Sequence, residues 1–176
     1  MNKKILIFSL LLALFAFGAQ AESSDLGLPT LAPVELPAVE NGEQAALYCG
    51  PTQGFFRNGE TVLDLSKPFV YFGQHDCWAM AAPGTLDAMG PVGWMESAAA
   101  LLPDEPQLTF EDALPAMVEE DSFLTDTPTL DAPVQLIALS RGAEVLLLAQ
   151  FEDWLYVQYE GEETPIRAFL PASAVK

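Results

Sequence analysis

The residues best suited to chemistry are the single histidine of the chain and its two cysteines. His75, Asp76 and Cys77 are consecutive, and a cysteine beside a histidine can act as a nucleophile with its base. Residues this close in a tight turn point to different sides, however, and a catalytic base normally comes from elsewhere in the fold. With Cys49 they reach the ligand count of a metal site, but the spacing matches no known ligand pattern. The sequence therefore predicts no catalytic residue and no metal site, and we interpret His75 as a turn residue.

The remaining motifs also argue against catalysis. Asp153 and the acidic turn Glu160, Glu162 and Glu163 contain oxygen ligands for Ca²⁺, but their spacing does not match a calcium-binding loop. The sequence has no G-x-S-x-G, no P-loop and no G-x-G-x-x-G motif. We therefore predict a protein that is not an enzyme and uses no cofactor.

The N-terminus is typical of a secretory signal peptide. Lys3 and Lys4 precede an apolar run at residues 5–17, and an Ala-Gln-Ala cleavage signal ends at Ala21. A membrane anchor would need about 20 apolar residues, and no cysteine follows the run for lipid attachment. Residues 1–21 are therefore predicted to be removed, which leaves a periplasmic or secreted protein with no membrane association.

Export has a consequence for the two cysteines. Disulfides persist in exported proteins, so Cys49 and Cys77 are predicted to form one. Closing a loop of this length would stabilise the fold by about 3–4 kcal/mol in the chain-entropy model. A bridged Cys77 would have no thiolate, which is a second argument against nucleophilic catalysis.

The elements that would position these residues are clearest at residues 142–175. A turn at residues 140–142 leads to apolar residues 145–149, and a further apolar run covers residues 166–170. Between them a strand opens at Trp154, with Trp154, Tyr156 and Gln158 on one face and Leu155, Val157 and Tyr159 on the other. Short apolar runs separated by glycine and acidic turns predict a small antiparallel β barrel.

The order of residues within this stretch resembles that of a known family. The family order is a glycine, an apolar strand, a tryptophan, a valine-ending strand, a Gly-Trp-Val sequence and a short closing strand. The matching residues here are Gly142, Val145, Leu147, Trp154, Val157 and Ala168, Phe169 and Leu170. The stretch resembles the bacterial SH3-like domain, whose entry loop and next strand are similar to residues 127–132 and 134–139. Ala168 and Phe169 stand where the family usually has Gly-Trp. The resemblance implies an SH3-like barrel at residues 127–176.

A second copy of the pattern lies upstream. Placing Trp78 on Trp154 puts Gly73 on Ala149 and Asp76 on Glu152, and brings Gly93 and Trp94 close to Ala168 and Phe169. This repeat predicts a divergent SH3-like module at residues 45–102. The predicted fold is thus all-β, with two small SH3-like β barrels in tandem. The alternative is one larger β domain in which the tryptophan spacing is coincidental.

Two acidic segments flank the first module. Residues 22–44 contain spaced prolines and only negative charges, which predicts an extended, poorly packed linker. Residues 103–126 form the predicted acidic connector. Within it, Thr109 begins a capping-box pattern, and Leu114, Met117 and Val118 share one face at helical spacing, so a short helix is expected despite Pro115.

The charge of the chain excludes some partners. The net charge is −18, and removal of Lys3 and Lys4 leaves 25 acidic against five basic residues, or −20. Nucleic acid is excluded as a partner, since phosphate binding needs basic surfaces. A cationic partner would be attracted at low salt. The alternative is that the charge only keeps an exported protein soluble.

The resemblance also implies candidate ligand-binding residues. In SH3-like folds the tryptophan that opens the third strand often lines a ligand groove, which here corresponds to Trp78 and Trp154. Trp94 and Tyr156 are the next candidates. The alternative for each is core packing, since half of the side chains of a barrel strand face inward.

Two functions follow from these observations. The first is an exported, non-enzymatic module that recognises a peptidoglycan peptide or an envelope protein through its SH3-like modules, as the family resemblance implies. The second is an acidic inhibitor or partner of a cationic exported protein, such as a lysozyme-type hydrolase, as the charge suggests.

Overall fold

The protein folds as antiparallel β-sheet in a computed structural model that describes residues 26–55, 61–97, 102–129, 131 and 135–175. The all-β prediction is confirmed over these residues. The strands are β1 (Val34–Leu36), β2 (Gln44–Ala46), β3 (Val62–Asp64), β4 (Phe69–His75), β5 (Trp78–Thr85), β6 (Ala88–Met89), β7 (Gly93–Glu96), β8 (Leu114–Met117), β9 (Ser122–Thr125), β10 (Gln135–Leu139), β11 (Glu144–Phe151), β12 (Trp154–Glu160) and β13 (Pro165–Pro171). A 3₁₀ turn, Ala172–Ala174, follows β13. The predicted signal peptide lies outside the described residues.

The strands form two main sheets. The first has the order β1-β4-β5-β6, with β7 also paired to β5, while β2 and β3 form a separate ribbon. The second has the order β10-β9-β13-β12-β11-β8. Both orders are open at their ends, and no closed barrel is found among the described strands. The finer prediction of two small SH3-like β barrels in tandem is therefore not confirmed by the sheet topology.

The two hairpins that contain Trp78 and Trp154 have the same register. The pairs of the first hairpin are Tyr71–Ala81, Gly73–Met80, Gln74–Ala79 and His75–Trp78. The equivalent pairs of the second hairpin, in the same order, are Leu147–Val157, Ala149–Tyr156, Gln150–Leu155 and Phe151–Trp154. Both first strands have a bulge after the first of these pairs. Both turns contain an acidic residue with positive φ, Asp76 at 53° and Glu152 at 51°. The structure thus pairs the residues of the two hairpins as the sequence superposition does.

The correspondence extends to the flanking strands. Outside the first hairpin, β1 pairs with β4 and β7 with β5; outside the second, β8 pairs with β11 and β13 with β12. Trp94 lies opposite Met80, as Phe169 lies opposite Tyr156. Each half of the chain therefore contains the same four-strand unit.

The acidic connector is part of the second sheet, which corrects the expected helix. Residues Leu114–Met117 form edge strand β8 against β11, and Ser122–Thr125 form β9. The N–H of Val118 donates to the Ala143 carbonyl on the β11 side. Alternate residues of an antiparallel strand direct their backbone groups to opposite sides, so Pro115, three residues earlier, directs its backbone nitrogen away from β11. Because that position donates no ladder bond, proline is tolerated on this edge strand.

The segment before β2 is also packed, which corrects the expected loose linker. The N–H of Leu31 donates to the Gln150 carbonyl at 2.7 Å, and the N–H of Gln150 donates to Pro29 at 2.9 Å. Leu31 is buried in the core, and β1 adds to β4. Proline spacing gave no sign of this packing, because the partners are backbone groups of distant strands.

The equivalent faces of the two units share one aromatic core. Trp78, Met80 and Trp94 of the first unit and Trp154, Tyr156 and Phe169 of the second occupy corresponding positions, and all six belong to the same buried cluster. Trp94 Nε1 donates a hydrogen bond of 2.6 Å to the Tyr156 hydroxyl inside it. The opposite faces pack in two separate clusters, and the cluster of the second sheet also includes Cys49 from the first half.

The predicted Cys49–Cys77 disulfide is absent, and this expectation is corrected. Cys49 is buried in the cluster of the second sheet, and its carbonyl accepts a hydrogen bond from the N–H of Arg167. Cys77 is exposed at the tip of the β4–β5 hairpin. The packing of residue 49 against the second half separates the two thiols.

The shared core predicts a specific cost for losing the Tyr156 hydroxyl. Tyr156→Phe leaves the buried indole N–H of Trp94 without its acceptor and is expected to lower the free energy of unfolding by about 1–3 kcal/mol. Urea unfolding followed by tryptophan fluorescence measures this change. Tyr159→Phe, a partly exposed position on the same strand, is the matched control and is expected to change stability by less than about 0.5 kcal/mol. Equal losses in the two variants would contradict the prediction.

The thiols give a second prediction. In the folded, unreduced protein, Cys77 is expected to react rapidly with a thiol reagent, and Cys49 only after unfolding in denaturant, because burial excludes the reagent. Cys77→Ser should remove the rapid reaction and leave the slow one. Denatured, unreduced protein that contains no reactive thiol would instead demonstrate a disulfide.

Candidate functional site

The four aromatic residues proposed from the resemblance are buried. Relative exposures are 8% for Trp78, 0% for Trp94, 6% for Trp154 and 2% for Tyr156. The Trp78 ring meets Tyr48 edge-on at 5.6 Å, and the Trp154 ring meets Phe123 at 6.5 Å. In this arrangement the rings contact other parts of the chain and present no surface to a ligand. Burial also raises the pKa of the Tyr156 hydroxyl far above its usual range, so this group stays protonated.

In the His-Asp-Cys sequence, the side chains of His75 and Asp76 have different environments. His75 Nδ1 donates to the Leu108 carbonyl at 2.8 Å, and its ring lies 6.3 Å from that of Phe110. Asp76 forms the tip of the hairpin, with its carboxylate 3.9 Å from His75 Nε2. Among the described residues, no group of three or more His, Cys, Asp or Glu side chains is placed to hold a metal ion.

A groove opens on the face of the second sheet beyond the shared core. Along β12, Tyr156 is covered by the first half, while Gln158 and Glu160 continue the same face toward solvent. The groove has a volume of about 610 Å³ and crosses β8, β11 and β12. Its lining residues are Pro115, Ala116, Met117, Glu144, Val145, Leu146, Gln158 and Glu160.

The groove combines an apolar floor with a pair of carboxylates. Pro115, Leu146 and Gln158 lie side by side on successive strands. Glu144 on β11 and Glu160 on β12 also line the groove, each two residues beyond the paired Leu146 and Gln158. Like charges opposite each other on neighbouring strands oppose folding. This arrangement suits a ligand that brings a positive charge to the groove.

Apolar side chains at the edge of the groove are left in solvent. Met117 is 62% exposed and Leu114 is 38% exposed, both on edge strand β8. Sequence reasoning missed the groove because it assigned β8 to a helix. The available signal was Pro115, which disfavours a helix and is accepted on a sheet edge.

Arg167 continues the row at the other end of the groove. Its Nε donates to Gln158 Oε1 at 2.9 Å, and Gln158 Nε2 donates to Glu160 Oε1 at 2.6 Å. The guanidinium carbon lies 5.3 Å from the Phe55 ring centroid and 5.2 Å from that of Phe110. Two aromatic rings therefore hold the cation in a fixed position at the end of the groove.

One nitrogen of Arg167 lacks a partner. Nη1 is buried and forms no hydrogen bond with any residue that the structure describes. Burial lowers the pKa of the guanidinium from its ordinary value, but an arginine remains protonated at neutral pH. Among the described residues, the site therefore contains a buried, positively charged donor without an acceptor.

The chain has no match among known families. No family model matches it, and no curated protein matches it. Two solved structures are similar to it, NlpC2 from Trichomonas vaginalis with 11% identity and NlpC1 from Trichomonas vaginalis with 10% identity, each with a TM-score of 0.34. Both similarities cover 84% of this chain. They cover 48% of the NlpC2 chain and 46% of the NlpC1 chain, so this chain spans about half the length of either. A similarity of this size establishes neither a shared fold nor a shared activity.

Proposed function

We propose that the protein is an exported, non-enzymatic binding protein that docks a cationic partner protein in the groove of the second sheet. The observation that carries the proposal is an exposed apolar groove whose lining, among the described residues, includes the carboxylates of Glu144 and Glu160 and no basic residue. The overall charge of −18 supports it, because it attracts a cationic protein from a distance.

The internal repeat explains why this face is free. In the first unit, the positions that correspond to Leu146, Gln158 and Arg167 are Val70, Ala82 and Val92, and these three are buried in the shared core. In the second unit the same row is only partly buried and lines or borders the groove. The groove is therefore the uncovered continuation of the face that already joins the two halves, a setting suited to a second protein surface.

The finer fold is part of the proposal. The repeated four-strand unit and its tryptophan-bearing hairpins support two SH3-like modules in tandem. Recognition of a peptidoglycan peptide or an envelope protein through the tryptophans has less support, since Trp78, Trp94 and Trp154 are buried. The function proposed here belongs to the second sheet alone. The cationic partner, such as a lysozyme-type hydrolase, takes the place of a wall peptide.

Other features do not enter the proposal. No helix in the described part of the chain is long and apolar enough to cross a membrane. His75 and Cys77 lie at the β4–β5 hairpin tip and do not line the groove. Lys67 pairs with Asp64 at 3.0 Å on the first half.

Neutralising the acid pair tests the function with two readouts of opposite sign. The double variant Glu144→Gln, Glu160→Gln is expected to weaken binding of cationic exported proteins by roughly tenfold or more, about 1.4 kcal/mol, because it removes the charges that face the partner. The same variant is expected to raise the stability of the free protein slightly, because it removes the repulsion between two carboxylates on neighbouring strands. Calorimetric titration with a panel that includes a lysozyme, and thermal unfolding, measure the two effects.

The matched control changes the same charge elsewhere. Glu40→Gln with Glu43→Gln removes two exposed carboxylates of the first half and should alter neither affinity nor stability appreciably. Binding to the unchanged protein should also weaken between about 0.01 M and about 0.1 M salt, as the screening length falls from ~30 Å to ~10 Å. Equal losses in the two double variants, or no binding to any basic candidate, would contradict the proposed function.

A further inference from the structure

Arg167 occupies a position where the fold does not need a cation. The corresponding residue of the first unit is Val92, which fills the shared core with an apolar side chain. Both units have the same strand pairing, so the arginine is not required for that pairing. Its presence calls for another explanation.

The described residues around Arg167 include two aromatic rings and an amide acceptor but no anion. The Phe55 and Phe110 ring centroids lie 5.3 and 5.2 Å from the guanidinium carbon, and Nε donates to the Gln158 amide oxygen. No carboxylate of the described residues forms an ion pair with it, although the chain contains 25 acidic residues. Gln158 bonds instead to Glu160, which keeps that carboxylate on the far side of the amide. A buried guanidinium N–H without an acceptor is costly, and a carboxylate ligand would satisfy it.

We propose that Arg167 anchors the carboxylate of a peptide that lies across the groove of the second sheet. This rests on the proposed function, because the same groove is used, and it defines the ligand: a cationic segment that also offers a carboxylate. From β13 to β8 the row spans three strand spacings, about 14 Å, which an extended peptide of roughly four residues covers. A carboxylate at Arg167 then places apolar side chains over Leu146 and Pro115, with a basic side chain close to Glu144 and Glu160.

The Phe55 ring lies beside this anchor. Phe55 comes from the turn after Gly50, and its ring lies so close to Gly50 that no Cβ would fit there. Arg167 is partly exposed, whereas its Nη1 is buried, so the proposed anchoring requires neighbouring side chains to move before a carboxylate reaches Nη1. Phe110 remains as the platform on the other side, held among the core residues.

The anchor is tested with a pair of probes that differ only in charge. N-acetylleucine carries a free carboxylate and an apolar side chain, whereas N-acetylleucinamide has the same side chain without the charge. In the full-length folded protein, N-acetylleucine is expected to shift the Arg167 Nε–Hε NMR signal saturably and to bind at least about tenfold more tightly than the amide. Equal binding of the two probes, or an Arg167 signal that neither probe shifts, would overturn the inference.

Two variants complete the test. Arg167→Gln is expected to abolish the preference for the acid, and Arg167→Lys to keep only part of it, because an ammonium cannot make the paired, stacked contacts of a guanidinium. Arg141→Gln removes an exposed positive charge elsewhere and should leave the preference unchanged. The comparison within the unchanged protein needs no variant, so a folding defect in Arg167→Gln does not affect it.

The two proposals fail separately. If cationic proteins bind through Glu144 and Glu160 but the acid probe shows no preference, the anchor is overturned and the proposed function stands. If the acid probe binds at Arg167 while the Glu144 and Glu160 variant keeps full affinity for cationic proteins, the proposed function is overturned and the anchor stands.

Discussion

The hydrogen bond from Trp94 to Tyr156 marks the constraint on which the rest of the structure depends, the burial of one sheet face against its counterpart. Each four-strand unit has one face of large aromatic and apolar side chains that it cannot cover alone. Packing the two faces together removes both from water, and the indole N–H finds its partner across the contact. Phe72 and Phe151, also from opposite halves, meet at 5.8 Å in the same cluster. The aromatic residues therefore hold the two halves together.

This packing has a consequence for the location of function. A residue that stabilises the contact between the halves is not free to bind a ligand, so the conspicuous tryptophans are structural in this arrangement. The part of the face that the contact does not reach stays open to solvent, and the proposed binding uses that part. The two units have similar strand pairing but differ in how much of this sheet face is buried. Val70 and Ala82 are buried, whereas their counterparts Leu146 and Gln158 line the groove. The asymmetry between equivalent rows is what separates a core from a groove.

The acidic residues of the chain are informative where they line the groove of the second sheet. Exposed carboxylates on turns keep their hydration and cost little. Glu144 and Glu160 are also exposed, but both line the same apolar groove. Arg167 is the reverse case, a positive charge held between rings without a carboxylate partner. Both features oppose folding slightly, and residues that do so at one place are characteristic of binding sites.

The sequence by itself determined the all-β class, the two tryptophan-bearing hairpins and the alternation that puts Trp154 and Tyr156 on one face and Leu155 and Val157 on the other. These are local properties, set by alternating side chains and by acidic turns, so a short window contains them. Only the tertiary structure decided that the segment at Leu114–Met117 is an edge strand, that residues near Leu31 cross onto β11 and that Cys49 lies apart from Cys77. It also decided which aromatic faces are covered and where Arg167 lies beside Gln158. Those outcomes depend on contacts between residues far apart in sequence, and no local pattern records them.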